Sequence, residues 1–336
     1  PTGPAKTYAA TRPILAPLPR ASVVEGVPQL RWSIKISAPG APEGERWGDT
    51  HFARALARSL RRLGQSAVVD HHYEWERPSA LDDDVVVTLR GLSRYFPAPD
   101  GRINIGWVIS HPDAVTRAEA ASFDRLLAAG PIWAERMSAR WGIRIDPLLQ
   151  ATDPELFNPD RALPDSGHAV LFVGTSRDVE RPIIHDAVSA GLPLSVYGHG
   201  WEPYIPRHYV KAQFMSNTRL GAEYRAAGVV LNDHWADMRD YGFISNRLFD
   251  AVASGARVIS DDVVGLRDVF GDTVQVYETP DDLVKWSSMP DPSVVFGTDE
   301  HIRAEAARIH RDHGFDARAR SLLDIALEER AKRDRF

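Results

Sequence analysis

The stretch YGFISNRLFDAVASGARVISDD, residues 241–262, decides how the rest of the chain is interpreted. Its apolar residues recur at helical spacing as far as Gly255, and the β-branched pair Val258-Ile259 follows at once. A helix that ends at a glycine and leads directly into a short apolar strand is typical of an α/β protein with a buried parallel sheet. The stretch therefore predicts one helix-to-strand unit of such a sheet.

Three polar residues, Asn246, Arg247 and Asp250, stand at the start of this helix, where a purely structural helix would not need them. Ser245 or Asn246 caps the helix, and the first turn offers unpaired N–H groups beside the fixed cation of Arg247. Such a set suits a diphosphate, and a carboxylate one turn later suits the paired hydroxyls of a ribose. The alternative is an Arg247–Asp250 ion pair within the helix and no ligand.

Strand-like and helix-like segments alternate outward from this stretch, on both sides of a Pro-rich break at 146–167. The predicted strands are 31–39, 66–70, 82–89, 103–110 and 130–135 before the break, and 168–176, 194–200, 228–233, 256–261 and 273–278 after it. Helices are predicted at 50–64, 114–129 and, as one long amphipathic helix, 299–333. This alternation predicts parallel sheets covered by helices on both faces, with ligands bound beyond the carboxyl ends of the strands.

The composition excludes several classes of protein. A chain of 336 residues is long enough for two α/β domains, and its net charge of −6 gives no general attraction to nucleic acid or to an anionic membrane. The absence of cysteine excludes disulfides, thiolate metal sites and cysteine nucleophiles, and it fits a cytoplasmic protein. No apolar run approaches the ~18 residues that a membrane span needs.

The beginning of the chain differs in composition from the rest. Residues 1–30 contain six prolines and little periodicity, which predicts a Pro-rich linker or a surface-wrapping N-terminal extension. Regular structure is predicted to begin with the strand at 31–39. Because the first residue is Pro1 rather than Met, we expect a processed product or a part of a larger multidomain chain.

Small and basic residues follow the strand at 168–176. Its end, Gly174-Thr175-Ser176, is followed directly by Arg177. Small residues let backbone N–H groups approach an anion, and a helix start favours negative charge. These residues form either a phosphate cradle or an ordinary strand-to-helix turn. Neither glycine-rich nucleotide fingerprint, G-x-x-x-x-G-K-[ST] or G-x-G-x-x-G, occurs in the chain.

The loop after the next strand is rich in aromatic residues and glycine. Tyr197, Gly198, His199 and Trp201 occur within five positions, and they either hold a flat base or form a buried turn. Farther along, His234 belongs to a polar cluster at the end of a strand. No metal site is predicted there, because the cluster lacks the third ligand that a metal would need.

Three consecutive segments, LNDHWADMRDYGF, SNRLFDAVASGARVISDD and VVGLRDVFGDTVQVYETPDDLV, carry a family resemblance. They resemble the nucleotide-binding core of two-domain glycosyltransferases of the GT-B type, in particular the "glycosyl transferases group 1" domain of spore-maturation-protein-like members. The shared pattern is Asn or Ser, Arg, an apolar pair, an acidic residue, A-x-A/S-G and a strand that ends in Asp. The resemblance extends over roughly 168–290 and is loose in the first half.

The resemblance implies an α/β fold in which two Rossmann-like parallel-sheet domains face each other across a cleft. Residues 31–150 would bind the acceptor and residues 151–317 the nucleotide-sugar donor. The C-terminal helix, about 318–336, would pack back on the first domain. Closure over the donor would be a hinge motion near 150–165 and 300–320.

The resemblance also implies roles for single residues. Asp250 would hydrogen-bond the ribose hydroxyls of the donor. The residues implied to face its diphosphate are Gly174, Thr175, Ser176, Arg177, Asn246 and Arg247. The residues implied to lie near the base or the sugar are Tyr197, Gly198, His199, Trp201, His234 and Ser245.

Three residues are candidates for catalysis. His111 occupies the place where many retaining relatives have a histidine near the donor sugar, or it is simply a turn residue before a proline. Asp49 and His51 lie at a helix start where many inverting relatives have a general base for the acceptor hydroxyl. In the alternative, Asp49 or Thr50 only caps that helix.

One departure from the family pattern concerns the stereochemistry. Many retaining relatives have two glutamates separated by seven residues in this region. Here Asp250 stands at the second position and Gly242 at the first, so the first acidic role has no residue. The sequence therefore leaves retention and inversion open.

The implied activity is transfer of a sugar from a nucleoside-diphosphate donor, such as a UDP-sugar, to a hydroxyl of a glycan, lipid or secondary metabolite. Polysaccharide biosynthesis in a bacterial cytoplasm is the expected setting. No cofactor beyond the donor and no metal are expected, because arginines and helix N-termini would stabilise the leaving diphosphate. The expected partners are the donor and a hydroxyl acceptor, without nucleic acid and without an integral membrane segment. The alternatives are a nucleotide-sugar epimerase on the same scaffold, or a non-catalytic glycan- or nucleotide-binding module of a larger cell-surface polysaccharide enzyme.

Overall fold

The strands form two separate six-stranded sheets in which every pairing is parallel. The computed structural model describes residues 27–164 and 167–333, so residues 1–26 of the predicted extension lie outside the described residues. The first sheet contains β1 (Arg31–Lys35), β2 (Ser66–Asp70), β3 (Val85–Arg90), β4 (Ile103–Val108), β5 (Arg125–Ala128) and β6 (Ile145–Pro147). The second contains β7 (Val170–Val173), β8 (Leu194–Tyr197), β9 (Val210–Ala212), β10 (Val229–Asn232), β11 (Val258–Ser260) and β12 (Val274–Val276).

The strand order of each sheet indicates where a ligand would bind. The order is β2-β1-β3-β4-β5-β6 in the first sheet and β12-β11-β10-β7-β8-β9 in the second. Each order changes direction beside its first strand, between β1 and β3 and between β7 and β10. Ligands of such sheets bind beyond the carboxyl ends of the strands at this switch point. The prediction of two Rossmann-like parallel sheets is confirmed.

Helices connect the strands in both halves of the chain. Those of the first half are α1 (Gly48–Arg62), α2 (Arg117–Ala120) and α3 (Pro131–Trp141). Those that follow are α4 (Pro182–Ser189), α5 (Asn217–Ala226), α6 (Ala236–Asp240), α7 (Asn246–Ala253), α8 (Leu266–Phe270), α9 (Pro280–Ser287), α10 (Ser293–Phe296), α11 (Asp299–His313) and α12 (Phe315–Arg333). Across the described ranges, no helix combines the length and the apolar character that crossing a membrane requires.

Three predicted elements are wrong. The segment 114–129, predicted as a helix, contains only the short α2 and then strand β5, whose four residues are all buried. The segment 130–135, predicted as a strand, is the start of α3, with Pro131 at a position that suits proline because its missing N–H is not needed there. The predicted helix 299–333 is two helices, divided at Gly314.

Helix α12 returns to the first half of the chain. The ring of Phe315 lies 4.6 Å from that of Phe52 on α1, within the core that covers the first sheet. The chain therefore crosses between the halves twice, and the two crossings lie side by side. The Thr152 N–H donates to the carbonyl of His313 at 3.0 Å, and the Phe315 N–H donates to the carbonyl of Thr152 at 3.1 Å. Hinge motion at these crossings, and the division into acceptor and donor domains, stay predictions.

Candidate active site

Three guanidinium groups meet at the carboxyl edge of the second sheet, next to its switch point. Arg181 and Arg247 lie 4.7 Å and 4.6 Å from the ring centre of Phe172 on β7. Arg177, in the loop after β7, lies 4.4 Å from the ring of Trp235. The loop after β7 and the first turn of α7 thus bring together basic residues that are far apart in the sequence.

This arginine cluster (Arg177, Arg181 and Arg247) carries more positive than negative charge. Arg181 forms a buried ion pair with Asp233, with 2.7 Å between Nε and Oδ2. In the described part of the chain Arg177 and Arg247 form no ion pair, and Arg247 Nη1 donates to the neutral Asn232 Oδ1 at 2.9 Å. Burial, together with the charges of Arg181 and Arg247, lowers the pKa of Arg177 to about 9, against the opposing effect of Asp233 and Asp237. An anion bound here would compensate charges that the protein itself leaves uncompensated.

Glycines let two loops interlock around the cluster. A Cβ atom on Gly174 would lie 2.7 Å from Arg247 Nη2, so only glycine admits the guanidinium at this distance. Gly198 has a φ of +145°, and a Cβ there would lie 2.1 Å from the carbonyl oxygen of Gly174. Ser176 is fully buried, and its Oγ accepts from the Asp178 N–H at 3.2 Å. Its side chain therefore shapes the loop, and the implied contact of Ser176 with the diphosphate stays a prediction.

The aromatic loop after β8 is partly structural. Trp201 is fully buried, donates from Nε1 to the Gly174 carbonyl at 2.9 Å and packs against Phe172. Its ring is enclosed by the protein in this structure, and its implied contact with the base stays a prediction. The Tyr197 hydroxyl lies 3.3 Å from His168 Nε2, and His199 is exposed. The backbone N–H of Ser176 donates to the His199 carbonyl, which joins this loop to that after β7.

Asp250, on α7, is surrounded by donors. Thr152 Oγ1 donates to its Oδ1 at 2.8 Å and Asn246 Nδ2 donates to its Oδ2 at 2.9 Å. Burial raises the pKa of Asp250 to about 8 although these two donors favour the charged form. The Arg247–Asp250 ion pair considered for this helix is not formed, because Arg247 turns to Asn232. The side-chain nitrogen of Asn246, implied to face the diphosphate, is likewise engaged with Asp250.

His234 fixes the entry to α7. Its Nδ1 lies 2.6 Å from Asp261 Oδ1, and its Nε2 accepts from the Ser245 N–H at 3.0 Å. Nδ1 therefore carries the proton. The His234 side chain is fully buried and both of its ring nitrogens are bound within the protein. The implied contact with base or sugar stays a prediction. Ser245 is the N-cap residue of α7, but its side chain makes no capping hydrogen bond.

Two of the three catalytic candidates meet at the carboxyl edge of the first sheet. A Cβ atom on Gly91 would lie 3.4 Å from both Asp49 Oδ2 and Ser110 Oγ, and Ser110 Oγ lies 3.0 Å from His111 Nδ1. Asp49 lies in the first turn of α1 without capping it, since that helix has no side-chain cap. His51 is held elsewhere, with its Nε2 2.9 Å from the Glu45 carbonyl.

The electrostatic surroundings of these candidates differ. Burial raises the pKa of Asp49 to about 6. Burial also lowers the pKa of His111. The charge of Arg177 lowers it as well, whereas the charge of Asp237 raises it. His111 has a φ of +51°, in the left-handed region that a residue other than glycine adopts only when its surroundings hold it there. Since Asp237 and Arg177 belong to the second half, the two candidate sites face each other.

An interdomain cavity of about 520 Å³ lies beside this meeting point. It is lined by Asp113, Arg136, Trp235, Ala236, Asp237, Asp240 and Tyr241. Asp237 thus borders the cavity and also influences His111 and Arg177. Over residues 27–164 and 167–333 no group of three or more His, Asp or Glu side chains is arranged to hold a metal ion.

With this geometry in place, the second half can be compared with known proteins. Residues 177–324 match a family model described as "Glycosyl transferase-like". The matched range begins at Arg177 and includes Arg247 and Asp250. No curated protein matches the chain by sequence.

Solved structures of several glycosyltransferases are similar to most of the chain, across both halves. Sucrose-phosphate synthase from Thermosynechococcus elongatus is 14% identical, with 90% of this chain and 100% of that chain covered and a TM-score of 0.61. An alpha-glucosyltransferase solved with UDP-glucose and DNA containing an abasic site is 10% identical, with 89% and 100% covered and a TM-score of 0.62. AviGT4, a glycosyltransferase involved in Avilamycin A biosynthesis, is 17% identical, with 88% and 97% covered and a TM-score of 0.59.

These comparisons confirm the GT-B fold, and the expectation of a glycosyltransferase is confirmed at the level of the matched domain. The spore-maturation-protein-like subtype stays a prediction. Sequence reasoning missed Thr152 and Ser110, and it gave no role to Asp233. Asp233 had a usable signal, since it ends a strand at the switch point, where charged side chains face a ligand.

Proposed function

We propose that this glycosyltransferase-like chain transfers a sugar from a nucleoside-diphosphate donor, held by its second half, to a hydroxyl acceptor on its first half. The observation that carries the proposal is the arginine cluster next to Asp250 at the carboxyl edge of the second sheet. The cluster supplies uncompensated positive charge, and Asp250 supplies a carboxylate on the helix that also carries Arg247. A nucleoside diphosphate needs this combination, because it presents an anion and a diol to the same surface.

The arginines would act on the diphosphate during the reaction as well as during binding. Transfer of the sugar leaves a diphosphate with additional negative charge. Fixed guanidinium groups that are partly shielded from water stabilise such charge without reorganisation. Arg177 and Arg247 are suited to this, since neither is neutralised by an ion pair in the described residues. We therefore propose that transfer is metal-independent.

Asp49 is the proposed general base for the acceptor hydroxyl. With a pKa of about 6 it is charged at neutral pH and still basic enough to take a proton. His51 is a weaker candidate because its Nε2 is engaged with the Glu45 carbonyl. His111, oriented by Ser110, lies between Asp49 and the second half and is proposed to contact the transferred sugar.

The finer assignments come from chemistry and from the neighbours. One neighbour was solved with UDP-glucose and another with UDP, which favours a UDP-sugar for this chain as well. The proposed acceptor is a hydroxyl of a glycan, lipid or secondary metabolite in the cytoplasm. The comparisons lend no support to the epimerase or to the binding module. Interconversion of a donor sugar without acceptor would indicate the epimerase.

A nucleotide panel tests the proposal. We expect UDP, GDP, dTDP or CMP to raise the melting temperature, and Arg177→Ala and Arg247→Ala to lower that nucleotide's affinity at least about tenfold each. Arg267→Ala is the matched control, since that side chain is 69% exposed. Turnover of a nucleotide-sugar should persist in EDTA. If none of the nucleotides binds the wild type, the donor assignment is wrong.

A further inference from the structure

Thr152 lies where the chain first crosses between the two halves, and it is fully buried. Its backbone N–H and carbonyl hold the second crossing at His313 and Phe315. Beside it the buried guanidinium of Arg318 donates to the carbonyls of Leu149 at 2.8 Å and Gln150 at 2.9 Å. Backbone groups and one cation therefore hold the junction, which does not require the Thr152 hydroxyl.

That hydroxyl instead forms a hydrogen bond with Asp250. Thr152 Oγ1 donates to Asp250 Oδ1, and Asn246 Nδ2 donates to Asp250 Oδ2. A carboxylate has about four lone-pair positions, two on each oxygen. The two donors occupy one position on each oxygen and thereby fix the plane of the group. The position left on each oxygen matches the two hydroxyls of a ribose.

We propose that Thr152 is a positioning residue for the donor, which holds the Asp250 carboxylate in the orientation that receives both ribose hydroxyls. The inference rests on the proposed function, since it takes Asp250 as the ribose ligand. It also links two parts of the molecule. The donor of this hydrogen bond belongs to the interdomain crossing and the acceptor to α7, so ribose recognition depends on the junction staying in contact with α7.

The hydroxyl affects the charge of Asp250 as well as its orientation. Donation from Thr152 favours the charged form, while burial and Asp153 oppose it. The other charged or titratable groups close to Asp250 are Arg247 on its own helix and Tyr224 on α5. Loss of the hydroxyl raises the pKa of Asp250 further. Nucleotide affinity that requires the carboxylate then declines at a higher pH than in the wild type.

Three variants test the inference. Thr152→Val keeps the shape and the backbone bonds of the junction but removes the hydroxyl, and Thr152→Ser restores it. Thr88→Val is the matched control, because Thr88 is 1% exposed and its hydroxyl is without a hydrogen-bond partner in the described structure. The probes are UDP and 2′-deoxy-UDP, or the guanosine pair if the wild type prefers GDP. Calorimetric titrations between about pH 6 and pH 9 and donor turnover supply the measurements.

We expect Thr152→Val to weaken UDP binding about tenfold or more and to reduce the preference for UDP over 2′-deoxy-UDP. The KM for the donor should rise in parallel with little change in kcat, and the pH at which affinity is half lost should move upward. Thr152→Ser should behave as the wild type, and so should Thr88→Val. A purely structural role would lower both ligands' affinities equally.

Besides that equal loss, two further results would overturn the inference, and they differ in whether the proposed function is wrong as well. If wild type, Thr152→Val and Thr88→Val bind UDP equally and show the same ribose preference, the positioning role is wrong and the proposed function stands. If the wild type binds none of UDP, GDP, dTDP and CMP, both the proposed donor and the role of Thr152 are wrong.

Discussion

Asp250 keeps its carboxyl group in surroundings that oppose its charge. Burial raises its pKa from the ordinary value of 3.8 to about 8, although Thr152 and Asn246 donate to it. Because the folded-state pKa is the higher one, the contribution of this group to the free energy of unfolding is complete below about pH 4. It is lost as the pH rises towards about 8. The residue therefore weakens the fold at the pH at which it would accept a ribose.

We expect Asp250→Asn to raise the free energy of unfolding at about pH 8 by roughly a few kcal/mol and to remove most nucleotide affinity. The introduced amide can still accept from Thr152. Its N–H can donate to Asn246 Oδ1, a buried oxygen with no partner in the described residues, once the Asn246 amide has flipped. Urea unfolding at about pH 5 and pH 8, together with nucleotide titration, measures both effects.

The control for this prediction is Asp272→Asn, at a side chain that is 94% exposed. It should leave both stability and nucleotide affinity unchanged. Asp250→Asn could instead be less stable than the wild type at both pH values. The free-energy cost of burying the charge would then be smaller than that of the lost hydrogen bonds, and Asp250 would not weaken the fold.

The pKa of Asp49 predicts a pH profile. As a general base with a pKa of about 6, Asp49 is charged above that pH and protonated below it. We expect kcat at saturating donor to fall about tenfold per pH unit below about pH 6, and Asp49→Asn to lose about 100-fold or more in turnover at unchanged nucleotide affinity. His51→Ala should lose less, because the Glu45 carbonyl holds its Nε2. An unchanged acid limb in Asp49→Asn would remove Asp49 from the mechanism.

At the scale of an element, the loop after β7 contains a glycine that makes room for the side chain of a neighbouring element. A Cβ on Gly174 would meet Arg247 Nη2 at 2.7 Å and Phe172 Cε1 at 3.2 Å. We expect Gly174→Ala to displace the guanidinium and to weaken UDP binding about tenfold, with a smaller effect on uridine, which lacks the phosphates. Gly40→Ala is the control, because no atom lies within 4 Å of a Cβ there. Equal losses for UDP and uridine would indicate general disruption of the loop.

The sequence predicts those elements whose stability comes from their own pattern. Helices α1 and α7 are amphipathic over two turns or more, and β3 and β4 are six-residue runs that are buried throughout. It failed for β5, β6 and β9, which have only three or four residues. Equally short strands such as β10 and β11 were predicted because they contain runs of β-branched apolar residues. The edge strands β6 and β9 have one β-branched residue each, and they form because a neighbouring strand supplies the hydrogen bonds.

The residues of the candidate site were likewise predictable only where the local sequence pattern determines their position. Arg247 and Asp250 were found because helical spacing places them on one face. The directions of Trp201 and His234 could not be predicted, since distant partners set them: the Gly174 carbonyl for one, and Asp261 with the N-terminus of α7 for the other. Thr152 left no local signal, because it is separated from Asp250 by 98 positions in the sequence.

At the scale of the whole molecule, the loop between α6 and α7 packs into the first half. Phe243 is fully buried in a core made mostly of first-half residues, where its ring lies 6.3 Å from that of Trp133. Gly130 provides the space, since a Cβ there would lie 2.2 Å from Phe243 Cδ2. The Trp133 N–H also donates to the Tyr241 carbonyl at 3.3 Å.

This packing constrains any opening of the cleft. The loop leads directly into α7, which carries the two residues proposed to hold the donor. Gln150 reinforces the link, because its Nε2 donates to the Ile109 carbonyl of the first half at 3.1 Å and to the Ile244 carbonyl of the second at 3.4 Å. Domain opening would have to withdraw Phe243 from a close-packed core or to move the whole loop with the first half.

Phe243→Ala is therefore expected to affect both stability and donor binding. Removing a buried phenyl ring lowers the free energy of unfolding by about 3–5 kcal/mol. UDP should bind several-fold more weakly, because α7 loses its attachment to the first half. Phe296→Ala is the matched control: Phe296 is 2% exposed in a core of the second half that does not include the loop. It should destabilise the protein comparably and leave UDP affinity unchanged. If both variants weaken UDP binding equally, the effect follows from lost stability, and the attachment of the loop to the first half does not position the donor site.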